Sequence, residues 1–317
     1  MNAFGEMHFP PEAQTIEFTV EKPGERLDKL IVAQVGESLS RARVQALIKD
    51  GQVTVNGAQV KAGVKLRGGE RICVTIPPRE DAGQVVPEAI ALDVLYEDAD
   101  LAVINKPAGM TVHPGVGNET GTLVSALLAR WPEIGQMDIV EKRAGIVHRL
   151  DKDTSGLIVI AKNDVSRRRL MAQFQSRTVE KTYIALLERA PQTRTGRIEA
   201  PIGRDPNQRK RMAVQRGGKP AITEYEVIAD QFSGERALVR VRLLTGRTHQ
   251  IRVHMAFIGC PIVGDTVYGF RKQRIKLKRH FLHAAELQFD HPTTGERLRF
   301  EAPLPPGLQN ILEKLRT

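Results

Sequence analysis

Between residues 92 and 289 the sequence carries strand-like runs at 92–96, 101–105, 157–161, 182–187, 222–228, 237–244 and 282–289, which outnumber the helical patterns at 123–130, 164–176 and 248–258. Neighbouring runs are often joined by turns too short to hold the crossover that a parallel pair requires. Residues 92–317 are therefore expected to form an α+β domain, a mostly antiparallel mixed sheet with helices packed against it. A chain of 317 residues with 41% apolar side chains can build its core without covalent staples. Cys73 and Cys260, the only two cysteines, offer neither a disulfide framework nor a thiolate metal site, which fits a reducing compartment.

Residues 17–80 read as a separate small unit. A helical pattern covers 26–31, and Ser40 is a candidate N-cap before Val44, Leu47 and Ile48 at helical spacing. Val53-Thr54-Val55 then runs into Asn56-Gly57, a strong hairpin signal, and a further strand pattern at 71–76 stops at Pro77-Pro78. Residues 81–91, with Pro87 and several small or acidic residues, read as a linker. The order helix, helix, short strands, with Arg41, Arg43, Gln45 and Lys49 around the second helix, resembles the small RNA-binding domain shared with ribosomal protein S-four. That resemblance implies that Arg41, Arg43 and Lys49 contact RNA.

The net charge is +10, and it is local: residues 148–220 carry +10 while residues 81–147 carry −6. Cations gather at Arg167-Arg168-Arg169, Arg204, Arg209-Lys210-Arg211 and along 271–279, the footprint of a polyanionic partner. No run of about 18 apolar residues occurs, and Met1 to Pro11 has no basic patch followed by an apolar stretch. A soluble cytoplasmic protein without membrane association is expected, with a monomer as the default.

His148-Arg149-Leu150-Asp151-Lys152-Asp153-Thr154-Ser155-Gly156-Leu157 is a tight polar turn leading into a buried run, which holds Asp151 at the rim of the sheet. Two further segments carry chemistry-bearing residues, Glu180-Lys181-Thr182-Tyr183 and the stretch Thr245 to Met255. The latter places Arg247, His249 and Arg252 in the opening turns of a helix, against the macrodipole. A nearby anion, Asp151 or an RNA phosphate, would relieve the conflict. Ile251, Met255 and Ile258 share one helical face and are expected to pack inward, with Arg252 beside them. His249 and His254 lie about 140° apart around that helix and cannot share a metal, and His280 and His283 stand in a basic run, so no metal site is expected. Phosphate-loop, dinucleotide and zinc-protease motifs are absent from the sequence, so no nucleotide cofactor is expected.

His148-Arg149-Leu150-Asp151, Lys181-Thr182-Tyr183 and Gly246-Arg247-Thr248-His249-Gln250-Ile251-Arg252, in that order, closely resemble the RluA/RluD family of pseudouridine synthases. Asn105-Lys106-Pro107-Ala108-Gly109, Val112-His113-Pro114-Gly115 and Gly264-Asp265-Thr266-Val267-Tyr268-Gly269 extend the likeness, which is greatest to the RluD type. The resemblance implies isomerisation of uridine to pseudouridine in large-subunit ribosomal RNA without a cofactor. It makes Asp151 the essential carboxylate, which either attacks the ribose anomeric carbon or assists elimination. Arg252 becomes its guanidinium partner, Tyr183 the stacking surface for the extruded base, and Arg149 the side chain that fills the vacated space. Arg247, His148 and His249 would support the site through hydrogen bonds. A non-catalytic assembly factor binding the same RNA is the alternative; RNA hydrolysis is not expected.

Overall fold

The computed structural model describes residues 14–35, 41–77, 85–115, 117–137, 143–208, 211–233, 235–270, 272, 275 and 277–316. They divide into two compact units, one up to residue 77 and one from Val85 onward. Ser40, Arg209 and Lys210, to which the sequence assigns a cap and part of a basic patch, lie outside the described residues.

The first unit contains β1 (Gln14–Thr19), α1 (Leu27–Val35), α2 (Arg41–Lys49), β2 (Val53–Val55), β3 (Ala58–Gln59) and β4 (Arg71–Ile76). Its strands form an antiparallel sheet in the order β1-β4-β2-β3. Asn56 and Gly57 join β2 to β3 with φ of 50° and 83°, the left-handed pair that a two-residue turn needs to match strand twist. Leu27, Ile31, Val44, Leu47, Val53, Ile72 and Val74 form the core. Asp28, fully buried at the start of α1, accepts hydrogen bonds from Arg26 Nε (3.0 Å), Arg41 Nη2 (2.8 Å) and Gln45 Nε2 (2.8 Å). Arg41 is therefore bound inside the unit through one edge of its guanidinium, while Lys49 is exposed in the last turn of α2 and Arg43 is half-buried.

The Arg26 hydrogen bond, opposed by burial and aided by Arg41 and Gln45, holds the Asp28 carboxyl well below the usual range. With the folded pKa below the unfolded one, the stabilisation is fully present above about pH 4 and is lost as pH falls through the folded value. Amide exchange protection in α1 and α2 is expected to drop on acidification below about pH 4 in the wild type. In Asp28→Asn it should already be low at neutral pH and change little with acid.

In the second unit, β5 (Val94–Glu97), β6 (Leu101–Lys106), α3 (Leu123–Arg130), a 3-10 turn (Pro132–Gln136), β7 (Ser155–Ala161), α4 (Asp164–Ser176), β8 (Glu180–Leu187), β9 (Thr195–Glu199), β10 (Ile202–Arg204) and β11 (Met212–Val214) come first. They are followed by β12 (Ile222–Phe232), β13 (Arg236–Leu243), α5 (Gln250–Phe257), β14 (Leu282–Asp290), β15 (Arg297–Glu301) and α6 (Pro306–Leu315). One sheet runs β5-β6-β7-β14-β8-β13-β12-β9, with β15 also paired to β14, and β10 and β11 form a separate hairpin. All of its ladders are antiparallel except the short seam between β7 and β14. The fold class read from the sequence is the one observed, and each expected strand occurs with its ends shifted by a few residues.

Residues 85–91, expected as linker, belong partly to this unit: Glu88 N–H donates to Ser125 O at 3.0 Å, and its carboxylate accepts Gly121 N–H at 2.8 Å. β7 is buried along its whole length, the signature of a central strand covered on both faces. Thr122 caps α3 through Ser125 N–H, and Asn163 caps α4 through Ser166 N–H. Among the described residues no helix is long and apolar enough to cross a membrane.

The seam positions the site. Gly156 on β7, Ala284 on β14, Tyr183 on β8 and Val241 on β13 lie in register across four adjacent strands. Gly156 has φ of 114°, and a β-carbon there would collide with the backbone of Ala284. Gly156→Ala is expected to destabilise the domain by about 2–4 kcal/mol in urea unfolding, from backbone strain and the forced separation of the two strands.

Candidate active site

Asp151 stands on the turn that delivers the chain into β7, and four neighbours fix that turn. Lys106, fully buried at the end of β6, donates its ammonium protons to the carbonyls of Pro107 (2.8 Å), Met110 (2.9 Å) and Lys152 (3.1 Å). Burial pushes its pKa down to about 7, against the attraction of Asp153 and Asp151. Arg279 reaches the Asp153 carbonyl (3.3 Å) and Ser155 Oγ (2.9 Å), while His280 bonds Thr154 Oγ1 (2.8 Å) and His283 bonds Ser155 Oγ (2.9 Å). The His283 Nε2 proton goes to Ala302 O at 3.1 Å. These histidines are turn clamps, with burial holding both rings toward the neutral form.

Arg252 enters from α5. Its Nη1 donates to Asp151 Oδ2 at 3.0 Å, and its Nε and Nη2 grip Asp265 at 2.7 and 3.1 Å. Asp265 is fully buried and also accepts the backbone N–H groups of Val267 (2.9 Å) and Tyr268 (3.0 Å). Burial pushes its carboxyl up, but Arg252 and the two N–H donors outweigh it and the pKa lies below the ordinary value. The conflict of Arg252 with the helix dipole is thus relieved by two carboxylates. Residues Gln250 to Met255 are all buried, so α5 lies within the protein on nearly every side; the single inward stripe of Ile251, Met255 and Ile258 is too narrow a description.

Around this pair the motif residues come together. Asp151, Tyr183, Arg149, Arg247, His148, His249 and Arg252 all line one cleft of about 440 Å³. Tyr183 is buried, and burial with the nearby Asp151 charge raises its phenol pKa, so it stays protonated. Arg149 is exposed, and His249 Nε2 sits 3.9 Å from Asp151 Oδ1. The other ring nitrogen of His249 meets the Tyr268 hydroxyl at 2.9 Å, which itself accepts Met212 N–H at 2.9 Å. Burial lowers the His249 pKa. His148 is turned to the sheet: its Nε2 accepts Val159 N–H at 3.0 Å, its ring stacks on Phe174, and burial lowers its pKa to about 3. Arg247 donates Nε to Pro220 O at 3.0 Å.

Gln250 forms the buried clip of the turn, accepting from Thr245 Oγ1 (2.8 Å) and Arg247 N–H (3.0 Å) and donating to Ile222 O (2.9 Å). His254 closes a satisfied network with Thr223 Oγ1 and Ala200 O, both at 2.9 Å. Among the described residues no group of His, Cys, Asp and Glu is arranged to hold a metal ion. Part of the expected basic patch is engaged within the protein: Arg169, though exposed, donates to Pro292 O at 2.8 Å, and Arg167 lies 3.5 Å from Asp164.

Asp265, Lys106, Arg279, His280 and His283 were not singled out as site residues from the sequence. A lysine ending the apolar run 101–105, and an aspartate between Gly264 and Tyr268, are the signals that were available.

The family model for RNA pseudouridylate synthase matches residues 100–257, and that for the S4 domain matches residues 25–72. An uncharacterized RNA pseudouridine synthase, YlyB, of Bacillus subtilis is 47% identical over 296 residues, covering 93% of this chain and 96% of its own. Ribosomal large subunit pseudouridine synthase D of Neisseria meningitidis serogroup B is 44% identical over 308 residues, covering 94% of this chain and 80% of its own. The structure of human RNA pseudouridylate synthase domain containing 1 aligns with a TM-score of 0.56 at 28% identity, over 75% of this chain and 98% of its own. The chain belongs to the RNA pseudouridylate synthase family. It is an RNA pseudouridine synthase with an S4 domain.

Asp265→Asn leaves the buried Arg252 short of one charge and is expected to cost about 3 kcal/mol in urea unfolding. Asp151→Asn, whose side chain keeps 18% exposure and whose loss leaves Arg252 paired with Asp265, should cost clearly less. Equal losses would show that Asp265 does not anchor the guanidinium.

Proposed function

We propose that the protein isomerises uridines of large-subunit ribosomal RNA to pseudouridine, with Asp151 acting on a nucleotide extruded into the cleft. The observation that carries this reading is the 3.0 Å contact between Asp151 and Arg252 in a cleft shared with Tyr183. Similarity to relatives named ribosomal large subunit pseudouridine synthase D supports the choice of RNA.

In this reading Arg252 fixes the orientation of the Asp151 carboxylate. Asp151 then either bonds to the ribose anomeric carbon as the bond to uracil N1 breaks, or assists elimination from the sugar. The freed uracil turns and C5 bonds to the anomeric carbon as the bond from Asp151 to that carbon breaks, or, by elimination, as the proton taken from ribose C2′ returns to the sugar; C5 then gives up its proton and N1 gains one. Tyr183 stacks on the extruded base, and Arg149, exposed at the same cleft, occupies the gap left in the RNA. Arg247, His148 and His249 hold the walls in place. Arg43 and Lys49, with the outer edge of Arg41, contact RNA from the S4 domain.

Wild-type protein incubated with large-subunit ribosomal RNA, followed by base mapping, is expected to yield pseudouridine at discrete positions and no strand cleavage. Asp151→Ala should abolish the product while retaining RNA binding. Wild-type protein that binds the RNA and leaves every uridine unchanged would favour the non-catalytic assembly factor. Tyr183→Phe keeps the ring and should retain most RNA affinity, whereas Tyr183→Leu should weaken productive binding by about 1–3 kcal/mol, read as a rise in KM.

A further inference from the structure

Lys181 is a cleft residue to which the chemistry above gives no task. It precedes Tyr183 by two positions on β8, so both side chains rise from the same face of the strand, with α-carbons about 7 Å apart. Both line the cleft. Glu180, on the opposite face, is paired with Arg242 at 3.2 Å and Arg297 at 2.8 Å. Lys181 has no such partner: among the described residues no carboxylate or hydrogen-bond acceptor meets its Nζ, which lies 5.5 Å from the centroid of the Phe174 ring and close enough to His148 for its charge to act on that ring. Two carbonyls near the end of α4 are engaged elsewhere, Gln173 O by the N–H groups of Arg177 and Thr178 and Ala172 O by Ser176 Oγ. Burial alone lowers the Lys181 pKa, with no neighbouring carboxylate to offset it.

A partly buried ammonium without a counter-charge is costly unless an anion arrives to complete it. The cleft is rich in cations, lined by Arg149, Arg177, Arg247 and Arg252 as well as Lys181, and the one carboxylate in that lining, Asp151, is held by Arg252. We infer that Lys181 is an anion-binding subsite that takes a phosphodiester group adjoining the extruded uridine. A compact ammonium suits a phosphate oxygen, and its placement near Tyr183 puts it within one nucleotide's reach of the stacked base. A neutral uracil carbonyl would be served by an uncharged donor without a standing charge in the wall. The inference rests on the proposed substrate and extends it to the backbone flanking the target.

The test uses the full chain and a stem-loop RNA with loop uridines, in which each loop phosphodiester is replaced singly by an uncharged methylphosphonate. Wild-type affinity is expected to fall about tenfold at one linkage beyond the general effect of losing a charge. Lys181→Met should bind the unmodified RNA about tenfold more weakly and lose nothing further at that linkage, with a salt slope smaller by about 0.7. Lys181→Arg should restore most of the affinity. Penalties that multiply at every linkage, or a wild-type profile with no sensitive linkage, would overturn the subsite; the latter outcome needs no variant to fold. Pseudouridine formation by the wild type on unmodified RNA is scored separately, so loss of the subsite and loss of the proposed reaction give different results.

Discussion

A guanidinium shared between two carboxylates, Asp265 and Asp151, is the interaction on which the cleft depends. Asp265 is fully buried and binds Arg252 with two oxygens, so the guanidinium plane is set before any substrate arrives. The remaining nitrogen is then aimed at Asp151, which keeps partial access to the cleft. A single arginine–aspartate pair at the surface would contribute little and hold its geometry poorly. Burial of the second carboxylate makes Arg252 a fixed part of the core, and the two backbone N–H donors on Asp265 extend that rigidity to the 265–268 turn.

The acid itself is held from the other direction. Gly156 allows β7 and β14 to approach closely, and this seam places the preceding turn beside the residues that lead into β14. Arg279, His280 and His283 therefore meet Asp153, Thr154 and Ser155, while Lys106 fills the space below with three carbonyl contacts. β14 leaves the edge of β7 after a short pairing, and the Val159 N–H beyond that point is taken by His148. The ring that follows this edge also supports Phe174 and hence the wall near Lys181.

The long strands, α3, α4 and the hairpin at Asn56-Gly57 were legible in the sequence because each carries a period or turn residue with a local physical meaning. β9, β10, β11, β15 and α6 were not: β10 and β11 are three residues each and β9 is largely exposed with a single buried residue, whereas β15 and α6 do carry a strand alternation and a helical apolar spacing, each short and at the edge of the fold. Within the site, the dipole conflict at Arg252 pointed to a nearby anion, but it could not tell one carboxylate from two. Lys106 and Asp265 were harder, since each is buried by a fold that also brings it a partner distant in sequence, the Lys152 carbonyl for one and Arg252 for the other. Arg41 and Arg169 show the converse, cations that look available in a linear reading and prove to bind Asp28 and a Pro292 carbonyl.

The difference between cations already bonded within the protein and those left to a ligand refines what the net charge means. Arg26, Arg41, Arg169 and Arg279 each already hold a carboxylate, carbonyl or hydroxyl of the protein, so the net charge overstates the number of hydrogen-bond donors open to a polyanion. Where cations line the cleft, the balance is different: Arg149, Arg177, Lys181, Arg247 and Arg252 face a single acid. Field lines from such a lining are concentrated by the low-dielectric walls, which draws a phosphate backbone toward the cleft. The same arrangement keeps Asp151 in the company of positive charge, so attraction of a polyanion and the pairing of the acid with Arg252 follow from one electrostatic design.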